Sequence, residues 1–353
     1  MQLQALYLKN FRNYADACIR FAPGLNIIHG KNASGKTNLL EAISLFMTGR
    51  SFRTPHLSDL ISFGSNSFYL EAHFCKNGVD QVLKISSDGL QRKIVLNSTP
   101  LPTLSALLGI LMGVILSPED INLIKGLPSF RRQFLDLQIA KVSPIYLHHL
   151  SRYNKAMKVR NFLLRKQDLS TIDIWEEEMA SSGAFVTLER VKVVEEIEKL
   201  GVPLQESISK STESLQLRYK SPALHSKEIA AYLRAHYIKQ RPREIEIGST
   251  LTGPHKDDLL VFLQGKEARL FGSEGQMRSC VATLRLAEWH HMRLQSSELP
   301  LLCIDDIGIS LDNSREESLY RMLADFGQVF VTSPKAEFPS LSSPHTINLG
   351  VCV

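Results

Sequence analysis

The chain has no apolar run of the ~18–20 residues needed to cross a membrane as a helix. The longest candidate, around residues 101–116, is broken by proline, glycine and threonine, so no membrane partner is expected. The start, Met1-Gln2-Leu3-Gln4, has no basic region followed by an apolar core, so no secretory signal is expected either. No Cys-x-x-Cys pair is present. The five cysteines, Cys18, Cys75, Cys280, Cys303 and Cys352, are odd in number and scattered, which predicts reduced packing thiols and argues against disulfides and zinc. Internal repeats and low-complexity tracts are also missing. These absences point to a soluble, cytoplasmic, globular protein.

What is present is ample apolar material: 353 residues, 44% hydrophobic and 22% charged, the length of two or three ordinary domains. The formal net charge of +5 is unevenly spread. Residues 129–243 hold 20 Lys and Arg against 13 Asp and Glu, while the rest of the chain holds 21 against 23. The basic surplus belongs to the middle.

The stretch Gly30-Lys31-Asn32-Ala33-Ser34-Gly35-Lys36-Thr37 is a complete Gly-x-x-x-x-Gly-Lys-Thr phosphate loop. Before it, Leu25-Asn26-Ile27-Ile28 suits a buried strand; after it, Leu39, Leu40, Ile43 and Phe46-Met47 recur at helical spacing. The two glycines let the backbone curl so that its N–H groups face a β-phosphate at a helix N-terminus. Lys36 adds a point charge between the β- and γ-phosphates, and Thr37 offers a hydroxyl to Mg²⁺. The loop reads as an ATP or GTP site.

Alternation at Leu6, Leu8 and Phe11 and again at Ile19 and Phe21 predicts two strands leading into the loop strand. The basic loop Gly49-Arg50-Ser51-Phe52-Arg53-Thr54-Pro55 is either a solvated connection or a surface facing nucleotide or DNA. Residues 67–74, 81–86 and 93–96, divided by Asn77-Gly78 and Asp88-Gly89, read as a β-meander. A strand at Val114-Ile115-Leu116 ends in Ser117-Pro118-Glu119-Asp120. Helical patterns then fill most of the chain to about Tyr237, and strand-like segments resume at 252–258, 259–263 and 268–271.

Within residues 152–166 there are six basic residues and no acid. On an ideal helix Arg152, Lys155, Lys158, Arg165 and Lys166 share one side, with Val159 and Phe162 among them, while Arg160 falls on the apolar side. The ridge is either a solvated face or a DNA-phosphate contact. Glu176-Glu177-Glu178 reads as a solvent face.

Near the end, Leu299-Pro300-Leu301-Leu302-Cys303-Ile304 is a continuous apolar run that delivers Asp305-Asp306 to a strand edge. A second run, Val329-Phe330-Val331, delivers Thr332-Ser333. Mg²⁺ needs Thr37 and an acid together, which assigns Asp305 to the metal shell and Asp306 to the attacking water. The glycine-bearing Ser273-Glu274-Gly275-Gln276 opens a helix whose apolar positions are Met277, Cys280, Val281, Leu284 and Ala287. It looks like the signature motif of ABC-type ATPases, in which the serine hydroxyl, glycine N–H and helix dipole grip the γ-phosphate bound by a partner subunit. That likeness implies two composite sites in an ATP-dependent homodimer, with Ser273, Gly275 and Gln276 at the nucleotide.

The chain also resembles the RecF recombination-mediator family over essentially its whole length. The residues that carry this are Leu8-Lys9-Asn10-Phe11-Arg12-Asn13-Tyr14, the loop through Lys36-Thr37-Asn38-Leu39-Leu40-Glu41-Ala42, Gly49 to Arg53, Ser117 to Asp120, Arg131-Arg132-Gln133-Phe134-Leu135-Asp136, Thr252-Gly253-Pro254-His255-Lys256-Asp257-Asp258, and Asp305-Asp306. The resemblance implies an ATP-controlled clamp of DNA repair, replication and the SOS response. Such a clamp binds DNA at single-strand gaps and, with RecO and RecR, helps RecA replace single-strand-binding protein. Three positions depart from the patterns: Ile309-Ser310-Leu311-Asp312 replaces the family's Ser-Glu-Leu-Asp, Glu274-Gly275 replaces the Gly-Gly of transporter signatures, and Pro118-Glu119 stands where many ABC proteins carry glutamine.

The expected fold is α/β: an ABC-type P-loop ATPase head with an inserted, mainly helical second lobe. The head is expected from residues 1–120 and 246–353, and the lobe from 121–245. The expected activity is slow ATP hydrolysis governing a dimer that binds single-stranded, gapped or duplex DNA. The rivals are a transporter ATPase subunit, a small-molecule kinase, and a DNA clamp that binds ATP without hydrolysing it.

Overall fold

A computed structural model describes residues 1–306, 313–334 and 344–349; the departure at 309–312 and Cys352 lie outside them. In chain order come β1 (Gln2–Phe11), β2 (Tyr14–Arg20), β3 (Leu25–His29), α1 (Lys36–Thr48), β4 (Phe68–Lys76), β5 (Val79–Ser87), β6 (Arg92–Leu96), β7 (Thr99–Pro100) and β8 (Gly113–Leu116). Then follow α2 (Asn122–Lys125), α3 (Pro128–Val142), α4 (Pro144–Lys166), α5 (Ile172–Ser209), β9 (Leu215–Lys220), α6 (Ile229–Ile247), β10 (Asp258–Leu263), β11 (Lys266–Glu267) and α7 (Ala268–Phe271). The last are α8 (Glu274–Gln295), β12 (Leu301–Ile304), α9 (Asn313–Met322), β13 (Val329–Ser333) and β14 (His345–Asn348).

The chain divides into two compact units. The first comprises Met1–Ile121, Leu200–Ser214 and Gly272–Val353; the second comprises Asn122–Lys199 and Leu215–Phe271. The insert therefore runs on past residue 245 to 271, and it cedes residues 200–214. The reason is strand pairing: β10 bonds to β9 from Asp258↔Lys220 to Leu263↔Leu215, which keeps the 246–271 stretch with the second unit.

The first unit holds two sheets. An antiparallel sheet runs β2-β1-β4-β5-β6-β7, and a parallel sheet runs β14-β3-β13-β12-β8. In the parallel sheet β12 and β13 are short and buried at every position, and apolar except for Thr332 and Ser333 at the end of β13, as strands covered on both faces must be. Its order sets the C-terminal ends of β3, β13 and β12 side by side, the edge where open α/β sheets take ligands. Helix α1 is buried from Leu39 through Met47, so it is a core helix rather than a surface one. It stops at Gly49, whose φ of 68° and N–H bond to Leu45 O form a left-handed cap; a Cβ there would lie 1.9 Å from Leu104 Cδ1.

The second unit is helical with a small sheet, β11-β10-β9. Its interior is held by buried arginines. Arg160, fully buried, donates to Glu176 (2.9 Å), Thr250 Oγ1 (2.9 Å) and Tyr237 O (3.1 Å), and pairs with Glu244 at 2.7 Å. Arg190 donates to Asp136 (2.7 Å), Tyr219 Oη (3.1 Å) and Pro254 O (2.7 Å). The stretch Thr252 to Asp258 is the knot of this network. Gly253 takes a φ of 125°, and a Cβ there would lie 2.4 Å from Tyr153 Oη. Arg132 donates to Asp257 O at 2.9 Å, and Arg131 grips Asp258 through two bonds of 2.7 and 2.9 Å.

Several expectations give way here. Glu176 is buried between Arg160 and Arg241 instead of facing solvent, because the fully buried Arg160 cation requires a carboxylate and half-buried Arg241 closes over it. Residues 268–271 form α7, and 252–257 form a turn leading into β10. Residues 215–220, inside the stretch read as helical, form β9; their alternating burial is a period-two signal. Cys18 is exposed, while Cys280 and Cys303 are buried, and all four described cysteines are free.

Candidate functional site

The phosphate loop runs from the end of β3 into α1. Gly35 caps α1 with a φ of 102°, and a Cβ there would meet Asn13 Nδ2 at 2.7 Å and Tyr14 Oη at 2.9 Å, so only glycine fits. Tyr14 Oη donates to Gly35 O at 3.0 Å, pinning the loop from β2. A Cβ on Gly30 would lie 2.7 Å from Ser34 Oγ, itself buried without a partner. Lys36 Nζ folds over the loop, donating to Gly30 O (2.8 Å) and Lys31 O (3.0 Å). Its ammonium has three donors, which leaves one for a phosphate oxygen.

Across the sheet edge Thr37 Oγ1 donates to Asp305 Oδ1 at 3.0 Å, and Thr332 Oγ1 donates to the same oxygen at 2.7 Å. Burial pushes the Asp305 carboxyl up, partly opposed by these two hydroxyls, while Glu119 and Asp306 add like charge. Asp306 N–H donates to Thr332 Oγ1 at 2.8 Å. That bond holds Asp306 in the left-handed region, φ 53°, a conformation that costs energy for a residue with a side chain. Its Oδ1 is buried without a partner. Burial raises its pKa, and the Lys36 charge opposes the rise. A cavity of about 30 Å³, lined by Leu116, Ile304, Asp305, Asp306 and Val281, reaches this carboxylate and is large enough for a water.

The edge can therefore hold a phosphate chain against Lys36 and the α1 N-terminus, and a hard divalent cation against Thr37 and Asp305. Lys31, Asn32 and Ala33 form the exposed crest of the loop, with Ala33 at a φ of 65°.

The flanking motifs converge on Glu41, fully buried on α1. Arg12 grips it through bonds of 2.8 and 2.6 Å, Ser51 Oγ donates to it, and Arg53 stands 3.6 Å away. Asn38 donates to Asn13 at 2.8 Å and accepts from Arg53 at 2.8 Å. The basic loop is thus tied to the loop helix, a role that sequence reasoning missed for Arg12, Glu41 and Ser51. A buried glutamate amid an apolar helix pattern, with arginines in both neighbouring motifs, is the signal that was there.

Ser273 caps α8. Its Oγ accepts from Gln276 N–H at 3.3 Å, and Gln276 Oε1 accepts from Ser273 N–H at 2.9 Å, a capping box. Gly275 O accepts from Arg315 at 3.2 Å, and a Cβ on Gly275 would meet nothing within 4 Å. Among the described residues, no hydrogen bond links Ser273, Gly275 or Gln276 to the phosphate loop, so within one chain these two sets are not brought together.

On α4, in the second unit, Lys155, Lys158, Arg165 and Lys166 are exposed, and exposed Arg152 is paired with Glu178. Arg160 leaves the ridge for the core.

The AAA domain family matches residues 5–216. The chain is 48% identical over 342 residues to the DNA replication and repair protein RecF of Protochlamydia amoebophila, covering 96% of this chain and 95% of that protein. It is 39% identical over 353 residues to RecF of Chlamydia caviae, covering 98% and 95%. A solved structure of the recombination mediator protein RecF with ATP, in the RecFOR pathway, aligns with a TM-score of 0.88 at 31% identity, over 96% of this chain and 93% of that one. An Smc head bound to a domain of ScpA, 18% identical with a TM-score of 0.58 over 95% and 90%, shares the fold alone. A phosphate loop and a carboxylate strand joined at one sheet edge, on a chain matched nearly end to end by these relatives, belong to the RecF family of DNA replication and repair proteins.

Proposed function

We propose that this protein is a cytoplasmic, ATP-dependent DNA-binding protein of gap repair and replication, which dimerises on ATP and is reset by slow hydrolysis. The observation that carries the reading is the hydroxyl–carboxylate pair Thr37–Asp305 at 3.0 Å, directly beside the unpartnered oxygen of Asp306. The relatives' names support ATP and DNA as ligands, and they favour this reading over a transporter ATPase subunit.

The donor set fits Mg²⁺, which takes one or two protein oxygens and keeps several waters. Bound there, Mg²⁺ would neutralise charge on the β- and γ-phosphates. The remaining work falls to the chain. The α1 N-terminus and Lys36 bind the phosphates, and the Thr332 hydroxyl donates to the Asp305 carboxylate while accepting from the Asp306 backbone N–H, so one side chain positions both residues. Asp306, which lines the cavity and has its Oδ1 buried, takes the proton of the attacking water. Many ABC-type ATPases place a glutamate here; aspartate is one methylene shorter, and a small misplacement costs on the order of 10²-fold in rate. Slow turnover suits a clamp.

Ser273, Gly275 and Gln276 would complete the site of a second copy, the exposed helix start offering its N–H groups to the γ-phosphate. Lys155, Lys158, Arg165 and Lys166, with Arg152, would contact DNA phosphates. RecO and RecR are the protein partners expected from the family.

The test uses Asp306→Asn in size-exclusion chromatography with ATP and Mg²⁺, beside phosphate release and anisotropy on gapped DNA. The variant is expected to bind ATP, lose hydrolysis by about 10²-fold or more, and persist as a DNA-bound dimer. Hydrolysis at the wild-type rate, or a monomer with ATP bound, removes Asp306 from this role.

A further inference from the structure

Phe162 projects from α4 with 53% of its surface exposed, outside the neighbouring core of Leu163, Leu164 and Ile172. At 100° per residue, Lys158 and Lys166 lie one turn before and after it on the same face, Arg165 lies beside it, and Lys155 lies two turns back. All four are exposed, and no acid occurs in residues 152–166. Arg165 leans on Gly248 O at 3.4 Å, whereas Lys155, Lys158 and Lys166 have no hydrogen-bond or ion-pair partner among the described residues.

A lone exposed phenylalanine needs no explanation. One ringed by cations is different, because an apolar protein patch covering it would strip water from the ammonium groups and return nothing. A chain of phosphates carrying flat apolar faces satisfies both features: the charges meet phosphates and the ring meets a base. Duplex DNA satisfies only the first, since its base faces are stacked on one another. From Lys155 to Lys166 the ridge is about 16 Å long, enough for a short single-stranded tract.

We propose that Phe162 is a base-stacking residue and that the α4 face binds single-stranded DNA, with Lys155, Lys158 and Lys166 on the flanking phosphates. This rests on the reading of the ridge as a DNA contact, and the two fail separately. Binding of the full-length protein is measured across a salt series to a single-stranded oligonucleotide, the same strand made abasic, and a duplex of equal length.

Phe162→Ala is expected to weaken binding to the single strand about tenfold without changing the salt slope. It should leave the abasic strand and the duplex within about twofold of wild type, and Phe162→Trp should restore the loss. Lys155→Glu with Lys158→Glu is expected to weaken all three ligands and flatten the slope. If Phe162→Ala leaves the single strand unchanged, or weakens all three ligands alike, stacking is overturned while the lysine result still stands. If the lysine variant keeps its affinity and slope, the ridge itself is not a DNA contact. A Phe162→Ala protein that binds DNA normally but changes its self-association would make the residue a protein contact and overturn the proposal.

Discussion

Both units bury charge, but they finish it differently. In the second unit Arg160 and Arg190 meet carboxylates, hydroxyls and carbonyls on every side. In the first, half-buried Asp306 has its Oδ1 buried and unanswered, on a backbone turned into the left-handed region. A completed set of partners stabilises a fold, while an incomplete one leaves a position for something that is not part of the chain. Removing a group from each set should therefore have opposite signatures.

The largest expected effect is on the completed side. Arg160→Met leaves Glu176 and Glu244 buried beside each other without their shared cation, and should lower stability by about 3–5 kcal/mol. Urea denaturation measures this, and a loss under about 1 kcal/mol would mean the network is not what holds the second unit. On the incomplete side, Lys36→Ala should leave the thermal midpoint without nucleotide nearly unchanged. It should abolish the added stability that saturating ATP gives wild type, about 2.7 kcal/mol at a hundredfold excess over Kd, and with it ATP-driven dimerisation. A variant that still dimerises with ATP would break the link between loop and assembly.

The smallest effect is on pH. His255 Nε2–H donates to Thr250 O at 3.0 Å, so Nδ1 accepts from Tyr153 Oη at 2.5 Å and the ring is neutral in place. Burial, reinforced by Lys256, Arg132 and Arg190, lowers its pKa to about 4. The unfolded chain then binds the proton more readily, so this stability is complete above the unfolded value of about 6.5 and is lost as pH falls toward the folded one. Between about pH 7 and about pH 5 the loss should reach about 2 kcal/mol. His255→Gln should flatten that part of the stability profile, and an unchanged slope would place the acid sensitivity elsewhere.

The sequence was most legible where chemistry demands adjacent residues. Gly30 to Thr37, Asp305-Asp306 and Thr332-Ser333 each announce a strand end, and three neighbouring strand ends bring them together. It was least legible where a residue answers a partner far along the chain. Glu41 has no local pattern that names Arg12 or Ser51, and Glu176 reads as a solvent residue until Arg160, sixteen positions earlier, is seen to turn inward. Charge spacing could place Arg160 on the apolar side of α4, but not supply its partners. The strand at 215–220 carries a period-two alternation, but it is six residues long and lies between long helical stretches whose pattern dominates.

The strand order of the parallel sheet also bears on synthesis. Both neighbours of β3, the strand that launches the phosphate loop, come from residues 329–348, some three hundred positions later. The antiparallel sheet of residues 2–100 can close from what has already left the ribosome, but β3 must wait with both edges unpaired. Nucleotide affinity should thus be among the last properties this polypeptide acquires as it is made. Pairings this distant are slow to form, so a chain released before residue 329 would carry a loop of the right sequence on a strand that is free to pair with the wrong one.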